Sequence, residues 1–143
     1  GIELLPVGHE IIIANNIART ANKKKLVRAL DYWVTERPWN NPGKIKEFEI
    51  LRITNGAYPE DTHYKIRRYL YDIEKEEHEI KEILLFALLC ILESVSYTRK
   101  DGQYLRWDYR SGRINGKSKF DKGRIIPFDE AMLKKLREIR DDI

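Results

Sequence analysis

The stretch "IKEILLFALLCILESVSY", residues 80–97, constrains the fold of this chain more than any other. From Ile83 to Leu92 every residue is apolar. A helix apolar on all sides has to be surrounded by protein, and this run is too short to cross a bilayer. It predicts a core helix against which the rest of a 143-residue domain packs. Cys90 lies inside the run and is expected to be a buried, unreactive thiol. Just upstream, "PEDTHYKIRRYLYDI" has helical spacing, and the polar patch "EKEEHE" joins it to the core helix. One long helix and a helical hairpin both fit that pattern.

Two more helices flank these. "NKKKLVRALDYWVTER" offers Asn22 as N-cap and puts Leu26, Leu30, Trp33 and Val34 on one side, so a helix is expected over about 22–36. Pro38 and Pro42 stop it, and Gly43 completes a loop. At the other end, Met132, Leu133, Leu136 and Ile139 form an amphipathic helix with Asp129 as its expected cap. Short strands are expected at "KEFEILRIT" and "GRIIPF". After Tyr97 the period falls to two. Asp101 and Gly102 read as the turn of a β-hairpin, with Arg99 and Arg106 on one face and Thr98, Leu105 and Trp107 on the other. Residues Ser111 to Lys122, rich in Gly, Ser, Asn and Lys, read as a mobile loop.

Charge is segregated along the chain. Between Tyr97 and Arg124 nine Lys and Arg face three Asp, a local charge of +6 in a chain whose net charge is +4. Tyr104, Trp107, Tyr109 and Phe120 are threaded among those cations. Cations neutralise phosphates and release counterions, and rings can stack on bases or pack on the protein. The one-signed face favours contact with a nucleic acid through Arg99, Lys100, Arg106, Arg110, Arg113, Lys117 and Lys119. No catalytic constellation is visible: P-loop, G-x-S-x-G and G-x-G-x-x-G patterns are missing. His9, His63 and His78 lack the spacing of a zinc site, so no metal is expected. A single cysteine and the lack of a signal-peptide pattern fit a cytoplasmic protein without a membrane segment. A stand-alone helical nucleic-acid-binding module and a helical protein-interaction domain are both compatible with these features.

The opening "GIELLP", followed by a helix ending in "IARTA", resembles the segment after the cofactor loop in DNA methyltransferases that modify exocyclic amino groups. The matching residues are Gly1, Ile2, Glu3, Pro6, Ala18 and Arg19. "ALDYWVTERPWNNPGKI" and "SVSYTRKDGQYLRWDYRSGR" are similar to a region of bacterial modification methylases of the same class. The resemblance implies S-adenosylmethionine as cofactor of the parent protein, with Glu3 accepting hydrogen bonds from its ribose, as a carboxylate at a strand end does in dinucleotide folds. It also implies DNA as partner and methylation of adenine N6 or cytosine N4. The family's D-P-F-x-G-S-G loop would precede Gly1 and its S-P-P-Y or D-P-P-Y motif would follow Ile143. Neither occurs within the chain, which reads as a middle segment with no catalytic residue of its own, expected neither to methylate nor to bind the cofactor alone. The expected architecture is mainly α with a small β component. Residues 1–20 are a strand-helix remnant of a Rossmann-like domain, and residues 21–143 a helical insertion carrying the basic hairpin and contacting DNA.

Overall fold

Asn22 starts a helix as its sequence predicts. Its side-chain oxygen accepts from the Lys25 amide at 3.2 Å, and helix α1 runs Lys23–Glu36. Leu26, Leu30, Trp33 and Val34 are its buried residues, the four expected from spacing. Arg37 ends it in the left-handed region, at φ 47°, with its amide bonded to the Trp33 carbonyl. Pro38–Asn40 then forms a 3-10 turn. The structure, a computed structural model, describes residues 12–17, 19–47, 56–101, 104–113 and 119–143. After α1 come α2 (Glu60–Ile73), α3 (His78–Ile91), β1 (Thr98–Asp101), β2 (Tyr104–Trp107) and α4 (Phe128–Asp142). Residues 12–17 and 19–20 are also helical, and Ala14 and Ile17 are buried in the same core as the other helices. The strand expected at the N-terminus lies outside the described residues, as does Phe48 to Thr54 of the one expected within "KEFEILRIT".

The choice between one long helix and two is made at residues 74–77, where turns separate α2 from α3. Each acid of that junction meets a cation or a donor from elsewhere. Glu74 takes Lys46 at 2.5 Å and Lys81 at 2.7 Å, and Glu76 accepts from Trp33 Nε1 at 2.8 Å. Glu77 pairs with Lys25. The carboxylate run therefore pins α1 and the 44–47 segment to the α2–α3 turn. Helix α4 packs on both α1 and α3, and the Pro38–Asn40 turn sits on α2.

The core is centred on rings. Trp33 and Tyr69 meet edge-on with centroids 5.2 Å apart, Trp33 and Trp39 stack at 6.1 Å, and Phe128 lies 5.8 Å from Trp39. Tyr69 is fully buried and donates its hydroxyl to the Leu84 carbonyl at 2.6 Å, which ties α2 to α3. Burial also pushes that hydroxyl's pKa well up. Replacing Tyr69 by Phe keeps the ring and removes the bond, so stability should fall by about 1 kcal/mol, read from the urea midpoint. A midpoint equal to that of the parent would mean that the bond contributes nothing.

One buried cation fastens a loop. Arg68, 4% exposed, donates to the carbonyls of Asn41 at 2.8 Å, Lys44 at 2.5 Å and Pro38 at 3.2 Å, and pairs with Asp72 at 2.9 Å. Gly43 passes directly over this guanidinium, where a Cβ would stand 3.2 Å from its carbon. The "PWNNPGK" stretch is thus a strap held on α2, and glycine is needed there for close approach rather than for its dihedral freedom.

Several expectations are corrected. Cys90 is exposed on the outer side of α3, whose buried face is Ile80, Ile83, Leu84, Ala87, Leu88 and Ile91. An all-apolar run need not be covered all round, because only one side of α3 meets the helices that pack on it. Partial burial still pushes the Cys90 thiol upward, against the pull of Lys135. Asp129 lies inside the first turn of α4 and does not cap it, since Pro127 holds the cap position. Its carboxylate accepts from Trp39 Nε1 at 2.8 Å, Asn40 Nδ2 at 2.7 Å and Lys65 Nζ at 3.1 Å. Burial alone would raise its pKa, but the bonds from Asn40, Trp39 and Lys65 outweigh that and hold it low. "GRIIPF" forms no strand. Ile126 makes a single backbone bond to Ser94 before the chain enters α4. No helix among the described residues is long and apolar enough to cross a membrane.

Candidate functional site

The basic hairpin grows from the end of α3. Tyr97 donates its amide to the Ala57 carbonyl at 2.7 Å and takes the Asp108 amide on its own carbonyl at 2.7 Å, so the hairpin base is pinned to the helical body. The ladder pairs Thr98 with Trp107, Arg99 with Arg106, Lys100 with Leu105 and Asp101 with Tyr104. The connecting residues are therefore 102 and 103, one position later than the turn expected at Asp101 and Gly102.

This register sorts the candidate residues. Partners in an antiparallel ladder share a face and neighbours along a strand alternate. Arg99 and Arg106 share a face, as expected, and the shifted turn makes them direct ladder partners. Lys100 lies on the other face with Leu105, Thr98 and Trp107. Trp107 is 5% exposed and Thr98 7%, so that face is the packed one. Its outer cover is Arg113, whose guanidinium carbon lies 3.8 Å from the Trp107 ring centre. On the opposite face Arg99 and Arg106 both lie over Phe120, at 4.8 Å and 4.1 Å from its ring centre. Lys119 lies 3.9 Å over the exposed Tyr109 ring. The rings thus carry the protein's own cations on their faces, an arrangement worth about 0.5–1 kcal/mol each at exposed sites. Glu3 and Lys117 lie outside the described residues, and nothing is described of the Tyr104 side chain.

Arg110 is committed elsewhere. Its Nε and one terminal nitrogen form a fork on Asp108, at 2.7 Å and 2.9 Å, and the same nitrogen donates to the Gly123 carbonyl. Asp108 is the organising residue, at a position where the two-residue period predicts only a strand. It is 0% exposed and also accepts the amides of Arg110 at 2.8 Å and Lys122 at 2.7 Å. The Arg110 fork, helped by the two amides and opposed by burial, holds its carboxyl far below the usual carboxylate range. Lys122 is anchored in turn: its ammonium donates to the Ser96 carbonyl at 2.8 Å and to that of Glu93, and desolvation lowers its pKa. With the Tyr109 amide bonded to the Phe120 carbonyl at 2.9 Å, residues 120–122 are fixed against the hairpin, which corrects the expectation of a mobile loop over all of 111–122. The signal was present in "DYRSG": an Asp capping a 3-10 turn, Tyr109–Ser111, that ends on Gly112 at φ 81°.

The arrangement has cations at its surface and a carboxylate buried beneath them. Among the described residues no three His, Cys, Asp or Glu side chains come together as metal ligands. No family model matches the chain, and no solved structure matches it. Two curated relatives, the Type II methyltransferases M.AvaI of Nostoc sp. and of Anabaena variabilis, are each 50% identical to it over 142 residues, 99% of this chain. The Type II methyltransferase M.BsoBI of Geobacillus stearothermophilus is 33% identical over 159 aligned residues, covering all of the chain. In each case the match spans 30% of the relative's own length. The chain is therefore a homologue of one segment, about three-tenths, of these three Type II methyltransferases.

Proposed function

We propose that this chain is part of a cytoplasmic DNA modification methyltransferase that moves a methyl group from S-adenosylmethionine to an exocyclic amino group of adenine or cytosine. Its basic hairpin supplies DNA contact. The observation that carries this reading is the 50% identity to Type II methyltransferases across 99% of the chain. The hairpin's cation-covered face supports assigning the DNA contact to it. An enzyme that modifies a base must first turn it out of the duplex, which requires positively charged surfaces to hold the displaced strands. Residues 1–20, with Glu3 as ribose contact, adjoin the cofactor domain in this reading, and residues 21–143 form the DNA-contacting region. Ala14 and Ile17 anchor the first part on the core of the second. Of the seven cations, Arg99, Lys100, Arg106, Arg113, Lys117 and Lys119 serve as contacts. Arg110 supports them through Asp108.

A salt titration of affinity for duplex DNA tests the binding role. Replacing Lys100, Arg113 and Lys119 together by Ala should flatten the plot of log K against log salt by up to about 0.9 for each phosphate no longer neutralised. Melting temperature is followed alongside, since Arg113 also covers Trp107. An unchanged slope would return the segment to a solvated loop. Assaying methyl transfer by the whole protein, with and without this segment's cations, separates an enzyme from a stand-alone binding module.

A further inference from the structure

We infer that Arg99 and Arg106 form a clamp for a single backbone phosphate, with Phe120 as the shared platform that sets their spacing. This rests on the DNA-binding reading above and assigns the pair to phosphate holding rather than base reading.

Three observations point to it. Arg99 and Arg106 are direct ladder partners, and like charges directly opposite on a sheet destabilise the pair. A cross-strand repulsion of this kind is relieved when an anion sits between the two groups. Both guanidiniums lie over one ring, at 4.8 Å and 4.1 Å from its centre, so each charge is held on Phe120. A phosphate diester has enough acceptor positions to take a fork from each side. Nearby compensation is weak. Among the described residues Arg106 meets one carboxylate, Asp101, at 3.5 Å beside the hairpin's turn, and Arg99 has none within salt-bridge distance. Lys122, close enough to Arg99 for their charges to interact, is itself fixed on the Ser96 and Glu93 carbonyls. The result is a weakly compensated pair of forks on a ring whose backbone carbonyl is held by the Tyr109 amide, two residues before Lys122, whose amide is held by Asp108. A pair meant to read bases needs each fork free to lie in the plane of its own base edge. Two guanidiniums each packed on one ring lack that freedom, which suits a compact tetrahedral anion.

The counterion slope separates a shared phosphate from two independent ones, because it counts phosphates neutralised, not cations present. The experiment measures duplex-DNA affinity of the 143-residue chain against salt for R99Q, R106Q and the double variant. Both side chains are on the surface, and melting temperature checks the fold. If one phosphate is shared, each single variant loses affinity but keeps nearly the parental slope, while the double variant drops by about 0.9. If each arginine holds its own phosphate, each single variant drops by about 0.9 and the double by about twice that, and the clamp is wrong. Phe120→Leu, which keeps both charges but removes the platform, should weaken binding with the slope unchanged. Equal affinity in F120L and the parent would remove the ring from the proposal. If the parent chain shows no salt-dependent DNA affinity, the DNA-binding reading fails and the clamp with it. Parental slope and affinity in the double variant would overturn the clamp alone.

Discussion

Arg68→Met should lower the stability of the chain by about 3 kcal/mol or more, because it breaks a buried ion pair and unties a loop in one step. Several groups lose their partner together. Arg68 satisfies the carbonyls of Pro38, Asn41 and Lys44 and neutralises Asp72, which is itself 6% exposed. Methionine fills similar volume but donates nothing. The strap over Gly43 then loses its side-chain hold on α2, and among the described residues Asp72 keeps Lys75, at 3.5 Å. Against a typical total of about 5–15 kcal/mol, such a loss leaves a measurable unfolded population at physiological temperature. Urea titration reads it as a fall in midpoint at unchanged slope. Arg68→Lys should recover part of the loss, because one ammonium can answer Asp72 but cannot span three carbonyls. A drop below about 1 kcal/mol in Arg68→Met would show that the strap finds its own partners in water.

The second large effect concerns Asp108. Asp108→Ala strips the amides of Arg110 and Lys122 and the Arg110 guanidinium of their buried acceptor, which should cost about 2–4 kcal/mol. It also releases the 120–122 segment that carries Phe120. DNA affinity should fall severalfold even though Asp108 is negatively charged and would not touch the polyanion. A purely electrostatic role predicts the opposite, a gain in affinity on removing an acid from a basic surface, so the direction of change decides the matter. pH adds an independent check. The folded Asp108 titrates below its unfolded value of about 3.9, so its contribution is complete above that value and fades as pH falls toward the folded one. In acid titrations, Asp108→Asn should therefore lose part of the destabilisation seen below about pH 4 in the parent. An identical acid limb in the two proteins would mean that Asp108 is no source of the pH dependence.

What could be read along the chain was whatever depends on near neighbours. The α1 cap at Asn22 and its buried face of Leu26, Leu30, Trp33 and Val34 follow from spacing, because a helix repeats every few residues and buries one stripe. That Arg99 and Arg106 share one face follows from the two-residue period of strands, and the segregation of positive charge is visible by counting. The family resemblance, too, was carried by short contiguous stretches.

The tertiary structure decided which polar groups serve inside the protein and which stay at its surface. Arg68 and Arg110 look like any other arginine in the sequence, yet one is sealed under a loop and the other is spent on Asp108. Their partners are 24 to 30 residues away for the Arg68 carbonyl contacts, and 13 for the Arg110 bond to Gly123. Cys90 reversed its expected place for a related reason: the run from Ile83 to Leu92 is apolar throughout, and only the placement of its neighbours determines which side is covered. The basic segment divides the same way. Its charge belongs to the sequence, because ionisation is a property of each side chain. The concentration of that charge into two forks over one ring belongs to the fold, since a buried carboxylate and a three-dimensional register had to bring Phe120 beneath Arg99 and Arg106.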